Sequence, residues 1–173
     1  MNVRRALPAD VAVAAEILDE ATAYVATLGF EQWPVPFPPD ELAHRIERGE
    51  LYMVDVDGEP AATLTLLWDD PAFWGDRPPD ALYLHKLAVR RAFAGRGLGA
   101  AIVEWVDAHA AAAGRMYVRL DCQREDAGIR SYYERLGFEH RGDKDDDSRF
   151  AVALYERPTR PFQPRPGSVT SHG

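Results

Sequence analysis

Hydrophobic positions along the chain recur with two different spacings. Alternation with a period near two places successive side chains on opposite faces of a strand, whereas spacings of three and four mark a helix with one apolar face. "MNVRRAL" predicts a short first strand, and Pro8 with Asp10 opens an alanine-rich helix through about Ala26 that Gly29 closes. "EQWPVPFPPDE" is a proline-punctuated loop, after which Asp40 is expected to cap a second helix reaching Arg48. "LYMVDVDGEPAATLTLLW" reads as two strands around Asp57-Gly58, a dipeptide suited to the positive φ angles of a tight hairpin turn. "WDDPAFWGDRPPD" is expected as a loop. "ALYLHKLAV" is expected as a central strand, with Tyr83, His85, Leu87 and Val89 on one face and Leu82, Leu84, Lys86 and Ala88 on the other.

Downstream, Leu98, Ala101, Ile102, Trp105 and Val106 return at helical spacing between Gly97 and Ala113. "RMYVRLDC" predicts a further strand and "DAGIRSYYERL" a helix stopped by Gly137. "FEHRGD" and "SRFAVALYE" predict a last antiparallel pair joined through an acidic "DKDDD" turn. The predicted order is βααβββαβαββ. The 173 residues suit one domain, drawn as residues 1–156, followed by a proline-rich tail, residues 157–173, expected to be extended or disordered and flexible.

Composition narrows the functional classes. With 46% hydrophobic and 28% charged residues, the chain has the make-up of a globular protein. Its net charge of −8 repels phosphate backbones and anionic lipid, so neither nucleic acid nor membrane is an expected partner. A single cysteine, Cys122, rules out an intramolecular disulfide and a thiol metal cluster, and no metal is expected. The same residue fits a reducing compartment, and without a clean leader segment or an apolar run long enough to span a bilayer the expectation is cytoplasmic.

"AGRGLGA", Ala94 to Ala100, sits between an apolar strand and an amphipathic helix. Glycine lacks a Cβ, so a ligand's phosphates can approach the main chain and meet the N–H groups that a helix start leaves unpaired. Read as G-x-G-x-x-A, Gly95, Gly97 and Ala100 imitate a dinucleotide-binding fingerprint, with Asp121 near the position of a ribose-binding acid. Against this, "RRAFA" separates the strand from the first glycine. A glycine-rich turn with no ligand is the third reading of the same residues.

Taken with "LYLHKLAVRRAFAGRGLGAAIVEWV" and "VRLDCQREDAGIRSYYERLGF", the glycine turn resembles the GNAT acetyltransferase superfamily. The resemblance implies an α+β fold, three-layered α/β/α, around a mixed and mostly antiparallel sheet whose central strands splay apart. It implies acetyl-CoA as co-substrate: the pyrophosphate rests on Gly95, Arg96, Gly97, Leu98, Gly99 and Ala100, and pantetheine runs beside Leu87 and Val89. Tyr133 matches the tyrosine near the sulfur. The family usually carries arginine or glutamine where Ala94 stands, and Asp126 stands where many members have asparagine and is counted with the cofactor-binding positions.

The implied reaction is acetyl transfer to a primary amine of a small molecule or a peptide, by direct attack in a ternary complex. A silent acyl-CoA-binding sensor is the alternative. An alkyl ammonium with a pKa near 10.4 must lose a proton before it attacks, and the departing thiolate must gain one. Tyr133 is the expected acid and His85 the expected base, with Asp121 and Glu31 as rivals; Cys122 reads as a small buried residue. Tyr24, Trp33, Trp68 and Trp74 are expected to border the acceptor, together with Phe37 and Phe73. A homodimer stands open as the assembly.

Overall fold

A computed structural model describes residues 1–145 and 151–160, and the two predicted spacings become seven strands and five helices among them. In chain order these are β1 (Asn2–Arg5), α1 (Val11–Thr27), α2 (Pro39–Glu47), β2 (Leu51–Val56), β3 (Glu59–Leu67), a single turn α3 (Pro71–Trp74) and β4 (Ala81–Val89). Then come α4 (Leu98–Ala112), β5 (Tyr117–Gln123), α5 (Ala127–Arg135), β6 (Glu139–Lys144) and β7 (Val152–Pro158). The strands form one sheet ordered β1-β2-β3-β4-β5-β7-β6, with β4 at its centre. Neighbours are antiparallel except β4 and β5, which run parallel. One parallel pair is far from the doubly wound sheet that dinucleotide binding requires, which removes that alternative. Asp57 (φ 53°) and Gly58 (φ 84°) both take the left-handed conformation, as the β2–β3 hairpin demands.

The sheet is covered on both faces. Ile102, Val103, Val106 and Ala110 of α4 pack on Leu64, Leu82, Leu84, Val118 and Leu120, joined by Tyr133 of α5. On the other face Ala14, Ile17 and Leu18 of α1 and Leu42 of α2 pack with Phe37 on Leu51, Met53 and Ala88. Burying each large apolar side chain contributes about 1.5–3 kcal/mol, so the two helical layers hold the sheet from opposite sides.

Four expectations change. The face assignment along β4 holds only to His85: Leu82, Leu84, Leu87 and Val89 pack on the α4 side, while Ala88 packs on the α1 side. A bulge causes the switch. Thr65 pairs with His85 and Thr63 with Ala88, so Lys86 and Leu87 together oppose one β3 residue, and Lys86 takes φ 49°. Asp40 does not cap α2; Pro38 holds that position and Asp40 lies in the first turn. The loop after β3 contains α3, which Asp70 caps by accepting from the Phe73 amide at 3.4 Å. Finally, the domain does not stop at Glu156. Arg157 is 2% exposed and donates from Nη1 to Glu104 Oε1 (3.1 Å) and to the Leu136 carbonyl (2.7 Å), with Nη2 3.2 Å from Asp107 Oδ1. The Arg160 amide donates to Asp107 Oδ2 at 2.9 Å. Residues 146–150, which include much of the acidic turn, and the rest of the proline-rich stretch lie outside the described residues.

Candidate active site

The two central strands pair only from Ala81–Tyr117 to Leu84–Leu120, after which both continue without each other. Beyond that point the bulge at Lys86 turns β4, and a gap opens through the sheet. A cavity of about 370 Å³ occupies the gap. His85, Lys86 and Leu87 of β4, Asp121, Cys122 and Gln123 of β5, and Tyr133 of α5 reach it, and Trp33, Phe37, Glu41 and Phe73 close its α1–α2 side.

His85 lies between two carboxylates. Its Nε2 is 3.0 Å from Asp70 Oδ2 and its Nδ1 is 3.1 Å from Asp121 Oδ1. The distances are those of ion pairs, although Asp70 Oδ2, His85 Nε2 and Asp121 Oδ1 are buried without a well-aligned hydrogen bond, so the contacts are bent. Burial by itself disfavours the imidazolium, but Asp121 and Asp70 outweigh it and the His85 pKa is pushed up to about 9. A ring held as the cation has a proton on both nitrogens and no lone pair for an incoming one. The two flanking carboxylates favour the charged ring over the neutral base expected from the sequence. The donor types would also suit a cation, yet the carboxylates address opposite ring nitrogens, so the ring itself fills the space between them.

Tyr133 enters from the opposite layer, its ring edge-on to Phe138 at 5.7 Å. Burial pushes its phenol well above the usual range, with lesser contributions from Cys122, Tyr132 and Asp121, so the hydroxyl keeps its proton. Burial, followed by the Asp121 charge, pushes the Cys122 thiol up to about 12, which leaves it a poor nucleophile. Lys86 Nζ pairs with Glu41 Oε1 at 3.2 Å, a contact the sequence pattern did not suggest.

The glycine turn follows β4. Gly95 (φ 74°) and Gly97 (φ 79°) adopt the left-handed conformation, and a Cβ on either would meet nothing within 4 Å. Gly97 precedes α4, whose first internal hydrogen bond runs from Ala101 N to Gly97 O at 3.0 Å. The amides of Leu98, Gly99 and Ala100 therefore stand at an open helix end, where the dipole favours negative charge. This fits a diphosphate. Gly99 has a different reason to be bare, because a Cβ there would lie 2.6 Å from the Tyr132 hydroxyl. Arg96 is exposed beside the turn, and Arg91 stacks its guanidinium 3.6 Å over the Tyr24 ring.

The expected residues therefore separate. His85, Leu87, Tyr133, Asp126 and Trp33 line one cavity, with Phe37 and Phe73 beside them. Asp126 caps α5, its Oδ1 accepting from Gly128 N (2.9 Å) and Ile129 N (3.1 Å). Tyr24 lies outside the cavity lining, beneath Arg91. Trp68 packs toward α4, 6.2 Å from His109 and beneath Arg115, and Trp74 is buried against Tyr83 and Arg119. The link from Asp70 to His85 was missed, although Asp70-Pro71 is a helix-start signal that would have placed the carboxylate at a turn.

A sheet opened between one parallel pair of strands, with a bare helix start beside the gap, is the architecture of an acyl-CoA N-acyltransferase. The sequence model of the acetyltransferase (GNAT) family matches residues 15–138, and the chain belongs to that family. It is 35% identical over 107 residues to the uncharacterized N-acetyltransferase YesJ of Bacillus subtilis (strain 168), a match covering 59% of this chain and 59% of that relative's length. Among solved structures, a GNAT-family acetyltransferase from Listeria monocytogenes superposes with a TM-score of 0.75 at 25% identity, covering 91% of this chain and 94% of that one. The ribosomal-protein-S18-alanine N-acetyltransferase from Escherichia coli shares the fold with a TM-score of 0.68 at 18% identity, over 95% of this chain and 97% of its own.

Proposed function

We propose that the protein transfers an acetyl group from acetyl-CoA to the primary amine of a small molecule, by direct attack within a ternary complex. The observation that carries this reading is the through-sheet cavity: Tyr133 reaches it from one helical layer, while Asp121 and His85 reach it from the other. Diphosphate rests on the turn from Gly95 to Ala100, pantetheine runs along Leu87 and Val89, and Asp126 borders that arm. The acetyl carbonyl faces the unpaired edge of β4, whose backbone dipoles stabilise charge growing on oxygen more than they stabilise the ground state. The neutral amine attacks from the side of Trp33 and Phe73. As the C–S bond breaks, Tyr133 gives the thiolate a proton.

A cavity of about 370 Å³ with aromatic walls holds a compact acceptor better than a folded polypeptide end, which supports a small molecule over a peptide. Thiol release from acetyl-CoA across a panel of diamines, arylalkylamines and amino-acid amides tests this, with short N-terminal peptides alongside. Faster turnover with at least one small amine is expected. Turnover with peptides alone would reassign the acceptor, and binding of CoA with no thiol release would make the protein an acyl-CoA sensor.

A further inference from the structure

Gly99 is bare for a reason its own backbone does not supply. Unlike Gly95 and Gly97 it lies inside α4 and takes no positive φ, so alanine would suit the helix better there. The missing Cβ makes room for an atom of another element, the Tyr132 hydroxyl of α5, 2.6 Å from where that Cβ would stand. Phenylalanine at position 132 would bring a similar ring without the oxygen. The oxygen is present although, among the described residues, it makes no hydrogen bond with the protein. A hydroxyl that the packing admits at the expense of a neighbouring side chain, and that no described group uses, is placed for a polar atom from outside the chain.

Its position says which atom. The Tyr132 ring meets the Tyr133 ring edge-on at 5.3 Å, and Tyr133 lines the cavity where the thioester belongs. Its oxygen lies over the first turn of α4, where the amides of Leu98, Gly99 and Ala100 stand free of the helix's own hydrogen bonds. A ligand that runs from Tyr133 to those amides passes Tyr132. The ring is half-buried and packs, like Leu98, against the core on the α4 side, so the hydroxyl is held in place, whereas Arg96 lies exposed beside the turn. Burial pushes the phenol's pKa up, against the Arg135 charge, so at neutral pH the oxygen keeps its proton and meets an anion as a donor.

We propose that the Tyr132 hydroxyl donates a hydrogen bond to the coenzyme's diphosphate, at the phosphoryl group that leads into the pantetheine arm, and that Gly99 is glycine to let it reach. The proposal rests on the acetyl-CoA reading above. It divides the two adjacent tyrosines of α5 between the ends of one ligand, Tyr133 for the sulfur and Tyr132 for the phosphate.

The test titrates CoA, and dephospho-CoA, which keeps the diphosphate and lacks the ribose phosphate, into full-length wild type and Tyr132→Phe by calorimetry. Tyr132→Phe should bind both about 10-fold more weakly, the loss of one hydrogen bond to a charged group, while its thermal midpoint without coenzyme stays within about 2 °C of wild type. In phosphorus NMR of bound CoA, the diphosphate signals should differ between the two proteins and the ribose phosphate signal should not. A second comparison separates binding from packing. Gly99→Ala with Tyr132→Phe, in which the methyl no longer meets the hydroxyl, should bind CoA no more tightly than Tyr132→Phe alone, although it is the more stable partner of Gly99→Ala. Equal affinity in wild type and Tyr132→Phe, or wild-type affinity in the double variant, would overturn the proposal and leave the acetyl-CoA reading intact. A loss confined to CoA would move the hydroxyl to the ribose phosphate, and a loss with unmoved diphosphate signals would reduce it to packing; either also overturns the proposal. A wild type that takes up no CoA would end both.

Discussion

Tyr133 and His85 reach one cavity from opposite layers and carry opposite proton assignments: the phenol is held neutral and the imidazole charged. Replacing Tyr133 by Phe keeps the ring against Phe138 and removes only the hydroxyl, so kcat should fall about 100-fold with CoA affinity unchanged, read by steady-state kinetics beside calorimetry. A raised histidine pKa stabilises the fold fully below the unfolded value near 6.5, and that contribution fades as pH rises through about 9. Denaturant midpoints should therefore decline more steeply from about pH 6.5 to about 9 in the wild type than in His85→Gln. Gly99→Ala should destabilise by about 1–3 kcal/mol, because the methyl meets the Tyr132 hydroxyl, and most of that loss should return when Tyr132→Phe is added. The glycines and the tyrosine were legible in the sequence as candidates. The reason for Gly99 was hidden, since it depends on α5 folding over α4, and the Asp70–His85 contact depends on a turn that the loop reading passed over.

At the scale of elements, the bulge in β4 matters most. Alternation along "ALYLHKLAV" predicts the strand within its observed bounds, yet it cannot show that Lys86 and Leu87 share one place opposite β3. No glycine marks the bulge, and an L-residue at φ 49° costs about 1–2 kcal/mol. The half-exposed Lys86–Glu41 pair offsets only a fraction of this. Lys86→Gly is thus expected to hold or raise the thermal midpoint, whereas Lys86→Val, with a β-branched residue in a left-handed position, should lower it. Equal midpoints would show that the strand relaxes out of the bulge. Helix and strand bounds elsewhere were legible because Gly29, Gly49, Gly114 and Gly137 all take positive φ at the ends the pattern proposed.

Over the whole molecule, strand order and layering follow from element order, but the side on which each aromatic settles does not. Trp68 and Trp74 share a loop and end on different sides of the sheet, one against α4 and one beneath Arg119, and neither lines the cavity. The domain boundary was misplaced for a related reason: Arg157 looks like a solvent-facing cation in a proline-rich stretch, yet β7 carries it into a buried site among Glu104, Asp107 and the Leu136 carbonyl. A chain ending at Glu156 should be less stable than one ending at Arg160 by about 3–5 kcal/mol, since Asp107 would keep a buried charge without its partner. Among the described residues no helix is long and apolar enough to cross a membrane.

The central claim is that a coenzyme's diphosphate rests on the open end of α4, where Gly97 leaves room beside unpaired amides. Calorimetric titration of CoA into the wild type and into Gly97→Asp tests it most directly. Saturable binding by the wild type, abolished by a carboxylate placed at that helix end in a correctly folded variant, is the predicted result. Equal affinity in the two proteins, or a wild type that takes up no CoA, would contradict it.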